Sequence, residues 1–331
     1  MKYANLVLFG LGVALLIAVL GEVDIASLVD QIKHVGIIGF FAITLVYAVG
    51  FAADVLSWQM VTRPAAANAV WFGRLFIIRA LGEVYNNVTP AASMAGEPVK
   101  IWLLKHNHDV SYTDSTRSLV LTKTASMTAL TVFAGAGFVT ALLVQDLTRE
   151  LKVISATAFL VLLVMITVFV LLQRAGALGA GAERLSRLRY GRWLVPLVND
   201  LHKFDRGVWQ FYIQEKRLFR WSFVFAMVGW LLGVVEIFAI FTLLSHPLSW
   251  TEALIIEAAL QLMRTLAFLV PAGLGVQEVT LFVVAGAFTG VPQVGVAAAV
   301  LRRCRELAWI GFSLCLGFRY SLSGMNTRLA E

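Results

Sequence analysis

The stretch Tyr85–Lys105 places polar and turn-forming residues inside an otherwise strongly apolar region. It holds two asparagines, two prolines, a glycine and the carboxylate of Glu97. Hydrocarbon tolerates irregular backbone and a carboxylate only where other protein covers them or a water-filled cavity receives them. The stretch therefore predicts a helix break that faces protein or water rather than lipid.

The composition predicts a membrane protein. The chain is 59% hydrophobic and only 14% charged, with a mean hydropathy of +0.81, whereas soluble domains carry about 25% charged residues. At roughly 20 residues per span, 331 residues leave no room for a sizeable soluble domain. We therefore predict a single all-α polytopic transmembrane domain over residues 1–331, and attribute the formal charge of +7 to cytoplasmic loops and anionic lipid rather than to nucleic acid.

Apolar runs and the distribution of basic residues predict about six spans. They are Leu6–Leu20, Val35–Met60, Ser115–Leu143, Val153–Leu172, Phe219–Leu244 and Gln293–Phe318. The first is interpreted as an uncleaved span, because no small-x-small cleavage site follows it. Loops with an excess of Lys and Arg are assigned to the cytoplasm, and both termini are expected there.

Two further apolar segments are interrupted by Pro and Gly. Trp71–Leu104 is interpreted as a re-entrant hairpin that enters from and returns to the cytoplasm, because each limb is too short to cross. Two full but ragged spans are the alternative interpretation. The other segment begins as Thr251–Val270, breaks at PAGLG and resumes as far as Gly290.

The two broken segments are related by a constant offset. Pro90 and Pro271 lie 181 residues apart, as do Glu97 and Glu278. The same offset maps spans onto spans and places Lys123 beside two arginines. We predict an inverted repeat of residues about 35–145 and about 219–320, with the two re-entrant hairpins meeting near the midplane, as in alternating-access transporters.

A basic segment separates the two copies. Arg174–Arg217 contains nine Lys and Arg against four Asp and Glu, which predicts a cytoplasmic linker at about residues 174–218. Its apolar residues, including Phe204, Val208 and Phe211, recur at helical spacing. This pattern predicts an amphipathic helix at the membrane interface.

Several charged residues lie within or beside apolar segments, where a buried charge costs at least about 2.5–3.5 kcal/mol. Arginines and Lys123 are candidates to hold a phosphate, and Glu97 and Glu278 are candidates for proton coupling, because desolvation raises a carboxylate pKa. Half-helix N-termini after the two prolines offer backbone N–H groups to an anion. The alternative is that the acids form helix-pinning ion pairs, Glu97 with Lys123 and Glu278 with Arg305.

NNVTPAASMAGEPVKIWLL resembles the N-x-x-x-P…GGE-x-x-(K/R) signature of the transmembrane flippase domain of the lysylphosphatidylglycerol synthase family. VPAGLGVQE is similar to that family's second signature, P-x-G-L-G-x-x-E. Ala95 departs from the pattern, since the family commonly has Gly there. The resemblance covers roughly Leu6–Arg319, so it implies the lipid-translocating half without the synthase's soluble aminoacyl-transferase domain.

The resemblance implies a lipid headgroup cavity. Matched positions are Asn87 (or Asn86), Pro90, Glu97, Pro271, Gly275, Glu278 and Arg305, to which the charge pattern adds Lys123, Arg264 and Arg302. Stand-alone members of the family occur among proteins associated with hopanoid or glycolipid synthesis, which this chain resembles.

We expect a lipid flippase of the bacterial cytoplasmic (inner) membrane, without enzymatic activity, cofactor or metal. Its partners would be membrane lipids (anionic phospholipid, polyprenyl or hopanoid lipid). The alternative is a non-transporting membrane partner of a lipid- or hopanoid-modifying enzyme, which would dock through the basic linker. The pattern His106–Asp109 offers too few ligands for a metal site.

Overall fold

The computed structural model describes residues 21, 25–62, 68–88, 95–144, 147–187, 195–267, 270 and 273–328, and in these ranges the regular structure is entirely helical. The helices are α1 Ile25–Val61, α2 Ala69–Val88, α3 Gly96–His108, α4 Tyr112–Leu143, α5 Arg149–Arg174, α6 Ala177–Ser186, α7 Val195–Gln214, α8 Lys216–Leu243, α9 Trp250–Leu266, α10 Val276–Thr289 and α11 Pro292–Arg328. The predicted all-α class is confirmed.

Four helices of the described part are long and apolar enough to cross a membrane, namely α1 from Val29 onward, α4, α5 and α8. They coincide with four of the predicted spans. The predicted span Leu6–Leu20 lies outside the described residues. Helix α11 is 37 residues long, but the charged residues 302–306 interrupt its apolar surface, and it stays a predicted span.

Each broken segment forms two helices. In the first, α2 continues to Val88, so Asn86 and Asn87 belong to the helix rather than to the break predicted at Asn86–Pro90. The second limbs, α3 and α10, have 13 and 14 residues. At 1.5 Å per residue they reach only about 20 Å, less than the hydrocarbon thickness of about 30 Å. A second limb of this length does not cross a bilayer on its own.

The two copies repeat helix by helix. Three successive helices begin 180 or 181 residues apart in the two copies, at Ala69 and Trp250, at Gly96 and Val276, and at Tyr112 and Pro292. The packing repeats as well, because α2 packs on α11 as α9 packs on α4. The offset inferred from two prolines and two acids therefore describes the order of the helices.

Helices α1 and α8 are equivalent in the two copies and pack against each other. Ser57 lies with its Oγ 3.0 Å from Ser222 Oγ, near the start of α8, whereas Gly39 lies against Leu243 at its end. The two helices therefore run antiparallel, as an inverted repeat requires. A kink at Gly36, whose φ of 61° favours glycine, separates the equivalent part of α1 from the turns before it.

The linker helix α7 is amphipathic as predicted, but protein rather than lipid covers its apolar face. Phe204, Val208 and Phe211 are buried in a cluster that includes Trp58 and Leu104 of the bundle. Polar contacts hold the linker further, since Asp205 Oδ2 accepts a hydrogen bond from the Gly179 N–H at 2.8 Å. The linker is thus docked on the helical bundle along this face.

Candidate functional site

The first copy contains a cluster of ionisable side chains, here called the first cluster. Its members are Asp54 of α1, Arg79 and Glu83 of α2, Glu97 and Lys100 of α3, and Lys123 of α4. Arg79 Nη2 lies 2.5 Å from Asp54 Oδ2. Lys100 Nζ lies 2.7 Å from Glu97 Oε1. The Arg79–Asp54 pair therefore joins the first limb of the hairpin to α1, whereas the Lys100–Glu97 pair lies within the second limb.

Lys123 occupies a different position from the one expected. It interacts electrostatically with Glu97 and Asp54, but it forms no ion pair or hydrogen bond with any of the described residues. Lys100 takes the role of partner to Glu97 instead. The alternative ion pair Glu97–Lys123 is thus wrong, and Lys123 is an exposed residue.

Close backbone contact holds the first hairpin together. A Cβ added to Gly96 would lie 2.1 Å from the Gly82 carbonyl oxygen, so only glycine permits this approach of α3 to α2. Asn86 Oδ1 accepts a hydrogen bond from the Gly96 N–H at 2.7 Å. Asn87 donates to the Glu83 carbonyl of its own helix at 3.0 Å. Asn86 therefore closes the hairpin, while Asn87, the residue matched first, does not.

The second copy contains a larger set, the second cluster. Its members are Glu236 of α8, Glu257 and Arg264 of α9, Glu278 of α10, and Arg302, Arg303, Arg305 and Glu306 of α11. Arg302 Nη2 lies 3.2 Å from Glu257 Oε2 and 3.4 Å from Glu236 Oε2. One guanidinium thereby pairs with two acids on different helices.

Arg303, not Arg305, is the partner of Glu278. Arg303 Nε lies 2.7 Å from Glu278 Oε1, and Nη1 lies 2.9 Å from Glu306 Oε2. Arg305 pairs with Glu236 and Glu306 at 3.4 and 3.7 Å. The alternative pair Glu278–Arg305 is therefore wrong, although both residues belong to one cluster.

The N-terminus of α10 forms the tip of the second hairpin. Gly273 and Gly275 precede it with φ of 59° and 78°, and Arg303 Nη2 donates to the Gly273 carbonyl at 3.2 Å. Gln277 Nε2 and Glu278 Oε2 are buried and have no hydrogen-bond partner among the described residues. A donor and an acceptor therefore stay unsatisfied at this tip. The predicted site residues Pro90 and Pro271 lie outside the described residues.

Tyr47 of α1 joins the two clusters. Its hydroxyl donates to Glu83 Oε1 at 2.6 Å, and the Arg305 guanidinium lies 3.7 Å above its ring. Arg264 is exposed and interacts electrostatically with Glu306. Tyr47 was not predicted as a site residue, because a single tyrosine within an apolar span does not by itself indicate a polar contact. Asp54 and Arg79 were visible as charges in apolar segments but were not selected.

The residues His106–Asp109 form the end of α3. His106 stacks on Trp102 at 4.8 Å between ring centroids, and His108 packs on Trp71 at 5.4 Å. The Lys105 ammonium donates to Asp109 and lowers the pKa of that carboxyl. These side chains are engaged in capping and stacking. Within the described ranges no three metal-ligating side chains come together.

Comparison with known proteins connects this geometry to a family. The family model described as "Lysylphosphatidylglycerol synthase TM region" matches residues 5–314. A curated relative, the "UPF0104 membrane protein" of Methanothermobacter thermautotrophicus, is 22% identical over 343 residues, covering 100% of this chain and 99% of the relative. No solved structure matches the chain. Because the family model covers nearly the whole chain, the protein belongs to the lysylphosphatidylglycerol synthase transmembrane-region family.

Proposed function

We propose that this protein exchanges a lipid with a polar headgroup between the leaflets of the cytoplasmic membrane. The observation that carries the proposal is the continuity of the polar contacts between the two copies. Glu83 contacts Tyr47, Tyr47 contacts Arg305, and Arg305 contacts Glu306, which also pairs with the partner of Glu278. Polar side chains thus extend from one hairpin to the other.

The physical task of a flippase explains such a path. A headgroup that crosses hydrocarbon loses its hydrogen bonds to water, which costs several kcal/mol or more for charged groups. Acyl chains need no such help, because they stay in the bilayer. A polar path between two re-entrant hairpins replaces the lost hydrogen bonds. The exposed Lys123 and the unsatisfied atoms of Gln277 and Glu278 are groups available to a headgroup at its two ends.

Alternating access would come from the two copies. In an inverted repeat, one copy rocks against the other around a site near the midplane. The antiparallel pair α1 and α8 is one contact between the copies, and the packing of α2 on α11 and of α9 on α4 provides others. Proton binding at Glu97 or Glu278 is our hypothesis for the driving force, since each acid would exchange its cation for a proton.

Reconstituted leaflet exchange tests the proposal. Proteoliposomes containing a tail-labelled fluorescent phospholipid are treated with dithionite, which bleaches only the outer leaflet. The unmodified protein is expected to bring the inner-leaflet label outward, whereas Glu97→Gln combined with Glu278→Gln is expected to stop exchange. A variant with Glu150→Gln, an exposed residue after a loop, serves as the matched control. Exchange by the double variant at the unmodified rate would remove the acids from the mechanism, and no exchange by the unmodified protein would remove the function.

A further inference from the structure

Resting on this proposed function, we propose that the transported headgroup is zwitterionic, with its phosphate bound by Lys123 and its amine by Glu97. An anionic or an uncharged headgroup would fit the same apolar surroundings but not this pair of side chains. The proposal rests on the charge balance of the two clusters and on the groups that the first cluster leaves open.

The ionisable residues of the two clusters are balanced. The first cluster has three acids and three bases, and the second has four acids and four bases. The connections at residues 89–94 and 268–272 add no ionisable side chain. Adding a net charge beside a balanced set of partly buried charges costs solvation energy that no partner returns. A headgroup with one charge of each sign leaves the balance intact.

The first cluster offers one open group of each sign. Lys123 is exposed and unpaired among the described residues. Glu97 accepts from Lys100 through Oε1, while its other oxygen accepts no hydrogen bond from the described residues, and its side chain is 36% exposed. The two side chains, on α3 and α4, interact electrostatically. One open carboxylate oxygen and one unpaired ammonium match the amine and the phosphate of a headgroup.

An unpaired ammonium within a span also requires an explanation. A lysine at membrane depth pairs with an acid or faces water or a ligand. Lys123 is exposed, and the acids Glu97 and Asp54 are already bound to Lys100 and Arg79. A ligand phosphate would complete the pairing of Lys123. An anionic headgroup alone would satisfy Lys123 but would also lie beside two carboxylates, whose repulsion an amine on the same headgroup offsets.

Lipid selectivity tests the inference. The purified protein in nanodiscs is titrated with phosphatidylethanolamine, phosphatidylglycerol and a glucosyl diacylglycerol of matched acyl chains, and occupancy is read by native mass spectrometry. We expect phosphatidylethanolamine to bind about tenfold or more tightly than the other two, as the loss of one member of a close charge pair predicts. Equal binding of the three, or a preference for either of the others, would overturn the inference.

Single charge changes test the two roles separately. Glu97→Gln is expected to shift preference toward phosphatidylglycerol, because Lys123 stays while its acidic neighbour is lost. Lys123→Gln is expected to weaken the binding of phosphatidylethanolamine without strengthening the binding of phosphatidylglycerol. Lys105→Gln, which alters an exposed lysine near the end of α3, the helix of Glu97, is the control. It should leave the order of affinities for the three lipids unchanged. Thermal unfolding of each variant confirms that it is folded, and the exchanged pair Glu97→Lys with Lys123→Glu should restore binding. Unaltered preference in both folded single variants contradicts the assignment.

The binding measurements and the leaflet-exchange assay can fail independently of each other. A protein that exchanges all three lipids at equal rates and binds them equally keeps the proposed function and loses the inference. A protein that binds phosphatidylethanolamine selectively but exchanges none keeps the headgroup assignment and loses the flippase function.

Discussion

The two hairpins follow one plan, but their acidic side chains are exposed to different degrees. The Glu97 side chain is 36% exposed and Glu278 only 4%. The same holds for the acids of the preceding helices, since Asp54 is 36% exposed and Glu236 4%. The acids of the first hairpin and of the helix before it are thus more exposed than those of the second. Such an asymmetry is compatible with the proposed alternating access.

The two clusters also differ in the type of cation that they contain. The second cluster uses arginines, and Arg302 and Arg305 each contact Glu236 together with another acid. A guanidinium has five donors in a fixed plane, whereas a lysine is a point charge on a flexible stem. We therefore expect the arginine pairs of the second cluster to be the more rigid, and we propose that the first cluster, which contains two lysines, exchanges a partner for a ligand.

The largest expected effect is a loss of stability on removing a cation of the second cluster, compared with removing one of the first. Arg302→Met leaves Glu236 and Glu257 without their shared partner, and breaking a buried ion pair in this way costs about 3–5 kcal/mol. Lys100→Met should cost much less, because Glu97 is partly exposed and water screens it. Thermal unfolding of both variants in the same detergent measures the difference. Equal losses would show that the two clusters do not differ in rigidity.

The offset between the two broken segments could be read from the sequence, because it depends on the spacing of residues along the chain. Pro and Glu at a fixed spacing mark the break and the acid, and apolar runs mark the helices around them. Helix starts 180 or 181 residues apart agree with that offset. The α2 boundary was wrong by a few residues, since Asn86 and Asn87 were read as breakers although they continue the helix.

The ion pairs were not predictable in the same way. Residues 303 and 305 of one helix point about 200° apart, since each residue turns the helix by about 100°. The offset aligns Lys123 with position 304 of the second copy. It therefore does not determine which of the two arginines pairs with Glu278. The Tyr47 contacts depend on how α1 packs against the other copy, which no local pattern encodes. Packing of α7 on the bundle was missed for the same reason.

A smaller effect distinguishes the two asparagines of the open hairpin. Asn86→Ala removes the acceptor of the Gly96 N–H at the start of α3, and the loss of such a cap costs about 0.5–2 kcal/mol. Asn87→Ala removes a hydrogen bond to its own helix and should cost less. Thermal unfolding ranks the two variants. A larger loss for Asn87→Ala would show that Asn86 does not hold the limbs together.

The smallest effect is expected in the linker, which belongs to neither copy. Arg187 and Lys203 are exposed there, and a non-transporting membrane partner would use such basic residues to dock an acidic enzyme. Arg187→Gln with Lys203→Gln should leave leaflet exchange and the melting temperature unchanged, because within the described ranges these side chains pair with the exposed acids Glu183 and Asp200, three or four residues away. The double variant is measured in the dithionite assay beside Phe204→Ala, which removes a buried contact of α7 and should lower the melting temperature. If neutralising the two basic residues alone abolished leaflet exchange, the linker would be required for function. The difference between the two hairpins would then not explain the activity.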